Sequence, residues 1–226
     1  MKHLFVVAHP DDEVLGAGAF IFDAVKRGDE VGTVIFNSCD MTRYEDDRQR
    51  ILSDLIKSHE ILGISQNYLH NYEDGNFHLA DHRKMVQDIE EAIRQFSPDC
   101  IYTHHPSDNN NDHIVVFQAC MEAFRLGQRG REGTKPVKAV YLMEILSSSD
   151  WGVNPASAPF VPNTFCEVSE NGLAAKNTAL QCYENVIRPA PFPRSAVNIH
   201  ALAKYRGCQS GYMNAEAFQC VFRQGV

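Results

Sequence analysis

A histidine and three acidic residues stand side by side near the start of the sequence. Residues 9–13 read His-Pro-Asp-Asp-Glu, after the apolar run 4–8 and before a stretch rich in Gly and Ala. A short, uninterrupted apolar run predicts a buried parallel strand, and the stretch after residue 13 predicts the start of a helix. Ligands of open α/β sheets bind at the carboxyl ends of the strands. The sequence therefore places this acidic cluster at a binding edge.

The spacing within this cluster suits a metal ion. Carboxylates packed this closely raise one another's pKa, and a divalent cation reverses that effect. His9 and Asp12 are separated by a tight turn, so both can face one point while Asp11 faces another. The alternative is a solvated, acidic helix start with an incidental histidine, because the helix dipole also favours Asp and Glu in a first turn.

A second polar loop repeats this design farther along the chain. Residues 100–104 predict another buried strand, residues 105–113 are rich in His, Asp and Asn, and an apolar stretch follows them. Two such loops at adjacent strand ends can bring His and Asp side chains to one point. Three protein ligands with open positions are typical of a catalytic zinc rather than a structural one. The second loop therefore favours the metal interpretation over the solvated helix start.

With these motifs in place, the sequence resembles the PIG-L/LmbE-like zinc-dependent de-N-acetylases. Residues 8–13 match the signature of that family, and Asp112-His113 at a predicted helix start match its second motif. Less specific similarity lies in the tail, at residues 191–195, 206–207 and 215–218. The resemblance thus spans nearly the whole chain.

The resemblance implies a site and a reaction. It makes His9, Asp12 and His113 the ligands of Zn²⁺ and Asp11 the general base. Zinc lowers the pKa of a bound water to roughly 7, and the base accepts the proton of that water as it attacks an amide carbonyl. The metal is also expected to polarise the carbonyl, and Asp11 or a neighbour to protonate the leaving amine.

Supporting and substrate-binding residues are also predicted. Glu13 and Asp112 are expected behind the ligands, because a metal-bound histidine usually donates its other N–H to a carboxylate or a carbonyl. Related proteins carry a substrate-side arginine after the second strand, and Arg50 aligns with it best. For any arginine of this region, the alternative is a solvated helix face. The other two arginines are Arg43 and Arg48.

Two positions depart from the family pattern. Many relatives have an oxyanion-stabilising histidine where this chain has Asn110, and some have a histidine where it has Phe192. An amide can donate a hydrogen bond but cannot act as an acid, so Asn110 is predicted to be catalytic as a donor. Asp108 is assigned to substrate binding. The groups that can compensate for the missing acid are His105, Asp108 and His200.

The predicted fold is α/β, a single-domain, Rossmann-like doubly wound sheet that is mostly parallel, with three α/β/α layers over residues 1–226. Residues 147–162 form a long loop, which is either a lid or a plain connector. The glycines after the first strand do not form a GxGxxG fingerprint, and the acids beside them would repel a pyrophosphate. Strands are predicted over residues 4–8, 31–36, 68–69, 100–104, 138–145 and 165–168, and helices over 14–26, 48–62, 82–96, 115–126, 173–186 and 195–205.

Composition excludes several classes of protein. The 226 residues carry a formal net charge of -8 without a cluster of Lys or Arg, which argues against a nucleic-acid or anionic-membrane surface. The 7 cysteines are scattered and form no CxxC pair, as expected in a reducing cytoplasm. No stretch approaches the length of a membrane span, and the first apolar run is too short for a secretory signal. We therefore expect a cytoplasmic protein, and a homo-oligomer is left open.

The predicted function is a zinc-dependent hydrolase that removes an N-acetyl group from an N-acetylglucosamine-type amino-sugar conjugate, a small-molecule substrate. One alternative is hydrolysis of another amide, by a thiol-sugar conjugate amidase or a deformylase. Another is a non-catalytic metal-binding or sugar-nucleotide-binding protein, which the departures at Asn110 and Phe192 favour.

Overall fold

A computed structural model of the protein describes residues 1–38, 48–130, 135–152 and 158–225. Within these residues the strands are β1 (Lys2–Val7), β2 (Glu30–Ile35), β3 (Gln66–Leu69), β4 (Cys100–Thr103), β5 (Ala139–Met143), β6 (Thr164–Glu167) and β7 (Ala215–Arg223). The helices are α1 (Asp12–Lys26), α2 (Arg48–Leu62), α3 (His82–Phe96), α4 (Asn111–Gly127), α5 (Glu170–Leu180) and α6 (Ala196–Ser210). None of these helices is long and apolar enough to cross a bilayer.

The described strands form one sheet in the order β3-β2-β1-β4-β5-β7-β6. The first five strands in this order pair in parallel, whereas β7 runs antiparallel to both β5 and β6. The prediction of a mostly parallel α/β sheet is confirmed. The strand β7 was not predicted as a strand, since its residues were noted only for their similarity to a family motif.

Helices cover both faces of this sheet. Alternate residues of β1 point to opposite faces, as the pleat of a strand requires. Phe5 and Val7 join an apolar cluster with α1, α2 and α5, while Leu4 and Val6 join a second cluster with α3 and α4. The three-layer, doubly wound arrangement is therefore confirmed, and the sheet lies between the two cores.

Helix boundaries follow their caps more closely than they follow apolar periodicity. The helix α4 begins at residue 111 rather than 115, because the side-chain oxygen of Asn110 accepts a hydrogen bond from Asp112 N at 2.9 Å. The helix α5 likewise begins early, with Ser169 as its cap, and it ends at Leu180 rather than at residue 186. The chain then turns, with Asn185 at a left-handed φ of 62°.

A buried ion pair is inserted into a kink of α1. Ala17 leaves the helical conformation, with φ of -152°. The Lys176 ammonium donates to Leu15 O at 2.7 Å, and the Glu216 carboxylate accepts from Ala19 N at 3.3 Å. Leu15 O and Ala19 N are the two groups that an unbroken helix would pair with each other. Lys176 Nζ and Glu216 Oε1 lie 2.6 Å apart. This ion pair therefore satisfies the hydrogen-bonding groups of the backbone that the kink leaves unpaired.

Two glycines allow α1 to approach its neighbours closely. A Cβ at Gly16 would lie 2.9 Å from the sulfur of Met143, and one at Gly18 would lie 2.9 Å from Cγ of Lys176. These glycines therefore serve the packing of α1 against β5 and α5.

Replacing Lys176 with methionine is expected to destabilise the fold by about 3–5 kcal/mol, because Glu216 would stay buried without its countercharge. The free energy of unfolding in urea measures this effect. Lys84→Met is the matched control, since the Lys84 ammonium is exposed and the carboxylate of its partner Asp88 keeps the hydrogen bond from the Tyr72 hydroxyl, so the loss should be about 0.5 kcal/mol. Equal losses in the two variants would contradict the role given to the buried pair.

Candidate metal and catalytic site

Three of the predicted residues meet at the carboxyl ends of two neighbouring strands. The strands β1 and β4 pair in parallel, so the loops that follow them lie side by side. His9 comes from the first loop, Asp12 from the first turn of α1, and His113 from the first turn of α4. Their ligand atoms lie within 4.8 Å of one another. The sheet thus brings together the residues that the sequence assigned to the metal.

The side-chain atoms of these residues face a common point. His9 Nδ1 lies 3.3 Å from His113 Nε2 and 3.5 Å from Asp12 Oδ2. His113 Nε2 in turn lies 3.3 Å from Asp12 Oδ1. Two imidazole nitrogens and one carboxylate are a donor set that fits Zn²⁺ with open positions.

His113 is held from behind by a carboxylate. Its Nδ1 lies 2.9 Å from Asp108 Oδ2, and Asp108, only 4% exposed, also accepts a hydrogen bond from the Ser148 hydroxyl. Burial works against a charged imidazole, but Asp12 and Asp108 outweigh it and raise the pKa of His113 to about 9. The structure places Asp108 behind the predicted ligand, and not on the cleft wall where substrate contact was expected.

His9 is held in the same way by two acidic residues. Its Nε2 lies 3.2 Å from Asp112 Oδ2 and 3.1 Å from Asp74 Oδ1. Asp112 also accepts hydrogen bonds from Gly75 N at 2.6 Å and Phe77 N at 3.2 Å, so the turn at residues 74–75 orients it. The sequence indicated Asp112 but not Asp74, whose one signal was its place in an Asp-Gly turn.

Two other groups of His and Asp also have their ligand atoms close together. Their members are His104, Asp108 and His113 in one, and His9, Asp74 and Asp112 in the other. In the first, His104 Nε2 already accepts a hydrogen bond from Ala8 N at 2.9 Å. In the second, Asp112 is engaged by backbone N–H groups. The group of His9, Asp12 and His113 is the one that lines an open cleft.

Asp11 has an unusual backbone and faces this cleft. Its φ is 100°, a left-handed conformation that costs a non-glycine residue about 1–3 kcal/mol. It occupies the N-cap position of α1, yet its carboxylate does not cap the helix. Burial raises the pKa of Asp11 to about 7, although Arg194 opposes the shift. Arg194 Nη1 lies 3.4 Å from Asp11 Oδ2, a contact that the sequence did not indicate.

Glu13 lies on a different side of α1 from the predicted ligands. Its Oε1 is 3.0 Å from Nε2 of His59 in α2, and His59 Nδ1 is 2.8 Å from Asn67 Oδ1. These contacts join α1, α2 and β3. The structure thus places Glu13 in a buried interface between helices and not behind His9 or His113.

The cleft has a volume of about 700 Å³. Arg50 lies on its wall and pairs with Glu184. Arg43 and the side chain of Arg48 fall outside the described part of the chain, as do residues 153–157 of the long loop that is either a lid or a connector. His105 and His200 do not line the cleft. The lining includes His9, Asp11, Asp12, Arg50, Asp74, Asn110, His113, Tyr183, Arg188, Phe192 and Arg194.

The fold and this site define a class, a doubly wound α/β protein with a cluster of His and Asp side chains that could hold a metal ion in an open cleft. The sequence profile of the GlcNAc-PI de-N-acetylase (PIG-L) family matches residues 4–124. The chain belongs to this family, and the resemblance that the motifs indicated is confirmed.

One relative is similar in sequence, and one solved structure is similar in fold. The chain is 26% identical over 193 residues to the uncharacterized deacetylase YaiS of Escherichia coli (strain K12), covering 80% of this chain and 90% of YaiS. The structure is similar to the N,N'-diacetylchitobiose deacetylase from Pyrococcus horikoshii, with a TM-score of 0.73, 18% identity, and coverage of 97% of this chain and 83% of that one.

One protein of similar structure is named for a different reaction. GalB, the 4-carboxy-2-hydroxymuconate hydratase from Pseudomonas putida KT2440, matches with a TM-score of 0.76 and 21% identity, covering 100% of this chain and 98% of its own. A fold does not determine a reaction. The reaction of this protein therefore has to be argued from its site.

Proposed function

We propose that this protein is a zinc-dependent hydrolase that removes an acetyl group from the nitrogen of an amino-sugar conjugate. One observation carries the proposal: His9, Asp12 and His113 converge beside the Asp11 carboxylate, which is turned away from its helix and into an open cleft. Membership of a de-N-acetylase family supports the same reaction. The strand β7 lies within the same sheet as β1, which supports residues 1–226 acting as one domain.

The positions of the side chains support the roles that we propose for them. A divalent cation held by His9, Asp12 and His113 would polarise the acyl carbonyl and lower the pKa of a water molecule. Asp11 takes a proton from that water as its oxygen bonds to the acyl carbon. When the C–N bond breaks, Asp11 returns the proton to the nitrogen, so the products are acetate and a free amine.

The cleft suits a small molecule of the size of a sugar conjugate. Ligand pockets usually measure roughly 300–1,000 Å³ and combine apolar walls with a few polar groups. Here the ring of Phe192 provides an apolar surface, while Arg50 and Asn110 provide polar groups. Arg50 is proposed to contact the substrate from this wall.

Acetate release tests the proposal. The zinc-loaded protein is given N-acetylglucosamine in free, nucleotide-linked and lipid-linked forms, and acetate and free amine are both measured. We expect equal amounts of the two products from at least one substrate, loss of activity with a chelator, and recovery with added zinc. Formate release from N-formyl analogues would indicate a deformylase instead. Metal binding without turnover of any substrate would overturn the proposal and indicate a binding protein.

Asn110 is proposed to donate a hydrogen bond to the oxyanion that develops on the acyl carbonyl. Its Oδ1 caps α4, which leaves its Nδ2 as the donor, and it lines the cleft. Asn110→Ala is expected to lower kcat by roughly 10²–10³ with little change in KM. Steady-state kinetics on the best substrate of the panel measures both constants.

The lost helix cap needs its own control, because removing an N-cap costs about 0.5–2 kcal/mol. Asp81→Ala removes the cap of α3, where Asp81 accepts from Lys84 N, and should lower stability without lowering kcat. Asn110→Ser keeps a cap and a hydroxyl donor and should retain more activity than Asn110→Ala. A wild-type kcat in Asn110→Ala would mean that the amide does not reach the carbonyl.

A further inference from the structure

A cation from the tail of the chain reaches the predicted base. Arg194 lies in the segment 188–195, outside the residues that the family profile matches. Its Nη1 is 3.4 Å from Asp11 Oδ2, and its side chain is 22% exposed, at the edge of the cleft. The contact joins residues 183 positions apart in the chain.

The guanidinium of Arg194 is anchored on its other side. Its Nε donates to Leu146 O at 3.2 Å and to Ser147 Oγ at 3.0 Å, both in the segment that follows β5. This Nε–H, shared between two acceptors, thus fixes the direction in which Nη1 points. A guanidinium suits this task because its donors are held in a rigid, planar fork.

The backbone around Arg194 is fixed as well. Ser195 caps α6 by accepting a hydrogen bond from Asn198 N at 3.3 Å. Asn198 Nδ2 also donates to Phe192 O at 3.1 Å. Arg194 therefore lies between Phe192 and Ser195, which are both held by hydrogen bonds to Asn198. These bonds fix the backbone from which the Arg194 side chain extends.

Asp11 needs such a partner because its helix does not provide one. An aspartate at an N-cap position ordinarily accepts a backbone N–H of the first turn. The Asp11 carboxylate makes no such bond, and its left-handed φ turns it toward the cleft. The hydrogen bond described for its carboxylate comes from Arg194 and engages Oδ2. Among the hydrogen bonds within the described residues none engages Oδ1, so this oxygen is the one available to accept a proton.

We propose that Arg194 is a positioning residue for the reaction: it holds the Asp11 carboxylate in the orientation in which Oδ1 can accept the proton of the attacking water. This rests on the proposed function, because it presumes that Asp11 is the base. Such a role predicts a loss in kcat rather than in substrate binding, since a misplaced base affects the chemical step. A displacement of about 1 Å at a reacting group can cost roughly 10²-fold.

A second arginine of the same region provides a matched control. Arg206 of α6 donates from Nε to Glu144 Oε2 at 2.9 Å, so it also links α6 to the segment after β5. It is only 11% exposed, more buried than Arg194, and its partner is Glu144 rather than Asp11. Replacing either arginine would remove a structural link between the tail and the segment after β5. Only replacing Arg194 would also remove the contact with the Asp11 carboxylate.

The test compares Arg194→Ala, Arg194→Lys and Arg206→Ala in the zinc-loaded protein. We expect Arg194→Ala to lower kcat by roughly 10²-fold with KM and bound zinc close to wild type, and Arg194→Lys to lose less. Added methylguanidinium should restore part of the kcat of Arg194→Ala, a chemical rescue that a structural defect would not show. Arg206→Ala should lower the melting temperature more than Arg194→Ala while keeping kcat. A crystal structure of Arg194→Ala should show the Asp11 carboxylate turned away from its wild-type position.

Two results would overturn the inference. One is a wild-type kcat in Arg194→Ala; the other is a loss in Arg194→Ala that methylguanidinium does not restore and that Arg206→Ala matches. Should Arg194→Ala fail to fold, Arg194→Lys with a wild-type kcat and a displaced Asp11 carboxylate would overturn it equally. An inactive wild type would instead contradict the proposed function, so the two failures are distinguishable.

Discussion

Asp11→Asn is expected to keep a nearly normal zinc content and to lose roughly 10²–10⁴ in kcat, the usual contribution of a general base. The asparagine side chain has the same shape and can still be held by Arg194, but it cannot accept the proton of the attacking water. The metal ligands are untouched, because the Asp11 carboxylate faces Arg194 and the cleft. Elemental analysis and steady-state kinetics on the same preparation measure the two quantities.

Two outcomes would contradict the assignment of Asp11 as the general base. If Asp11→Asn lost zinc as completely as a ligand variant, Asp11 would belong to the metal site. If it kept both zinc and full activity, another group would have to accept the proton.

Asp12→Asn is expected to lose zinc. The Asp12 carboxylate lies between the two imidazoles, with Oδ2 3.5 Å from His9 Nδ1 and Oδ1 3.3 Å from His113 Nε2. Its removal should weaken zinc binding by more than the roughly 10–100-fold that the loss of a supporting residue costs. Competition with a chromogenic chelator measures the affinity, and an anomalous-scattering map locates the ion.

Asp108→Asn is the control for this prediction, because it should weaken zinc binding less than Asp12→Asn does. Asp108 supports His113 from behind, so its loss should weaken zinc binding within the roughly 10–100-fold range. A normal zinc affinity in Asp12→Asn, or an anomalous map without a peak among the three side chains, would remove the basis for the site.

The parts of the site that lie close together in sequence were predictable. His9, Asp11 and Asp12 share one strand–turn–helix unit, and the sequence there indicates the strand, the turn and the helix at once. His113 was assigned by the family resemblance, and its loop meets the first one because the neighbouring parallel strands β1 and β4 end at the same edge. The cap of α3 is equally local, because Asp81 accepts a hydrogen bond from Lys84 N, three residues farther along the chain.

Contacts between distant segments were not predictable from such patterns. Arg194 and Asp74 reach the site from segments that are distant in the sequence, and both were missed, although residues 191–195 were noted for their similarity to a family motif. Glu13 belongs to the first motif, yet its position on α1 directs it toward His59. The direction of a side chain in a first helical turn depends on the local backbone, and here Asp11 has a left-handed φ.

The strand order of the sheet has a consequence for how the chain folds during synthesis. The strand β7 follows β6 in the chain but lies between β5 and β6 in the sheet. While a ribosome is still making the chain, β6 has no neighbour with which to pair, and the edge of β5 stays open until residues 215–223 emerge. Unpaired edges of this kind attract other chains. We therefore expect nascent chains that stop short of β7 to depend on chaperones or to aggregate, even though the residues around His9 and His113 are already complete.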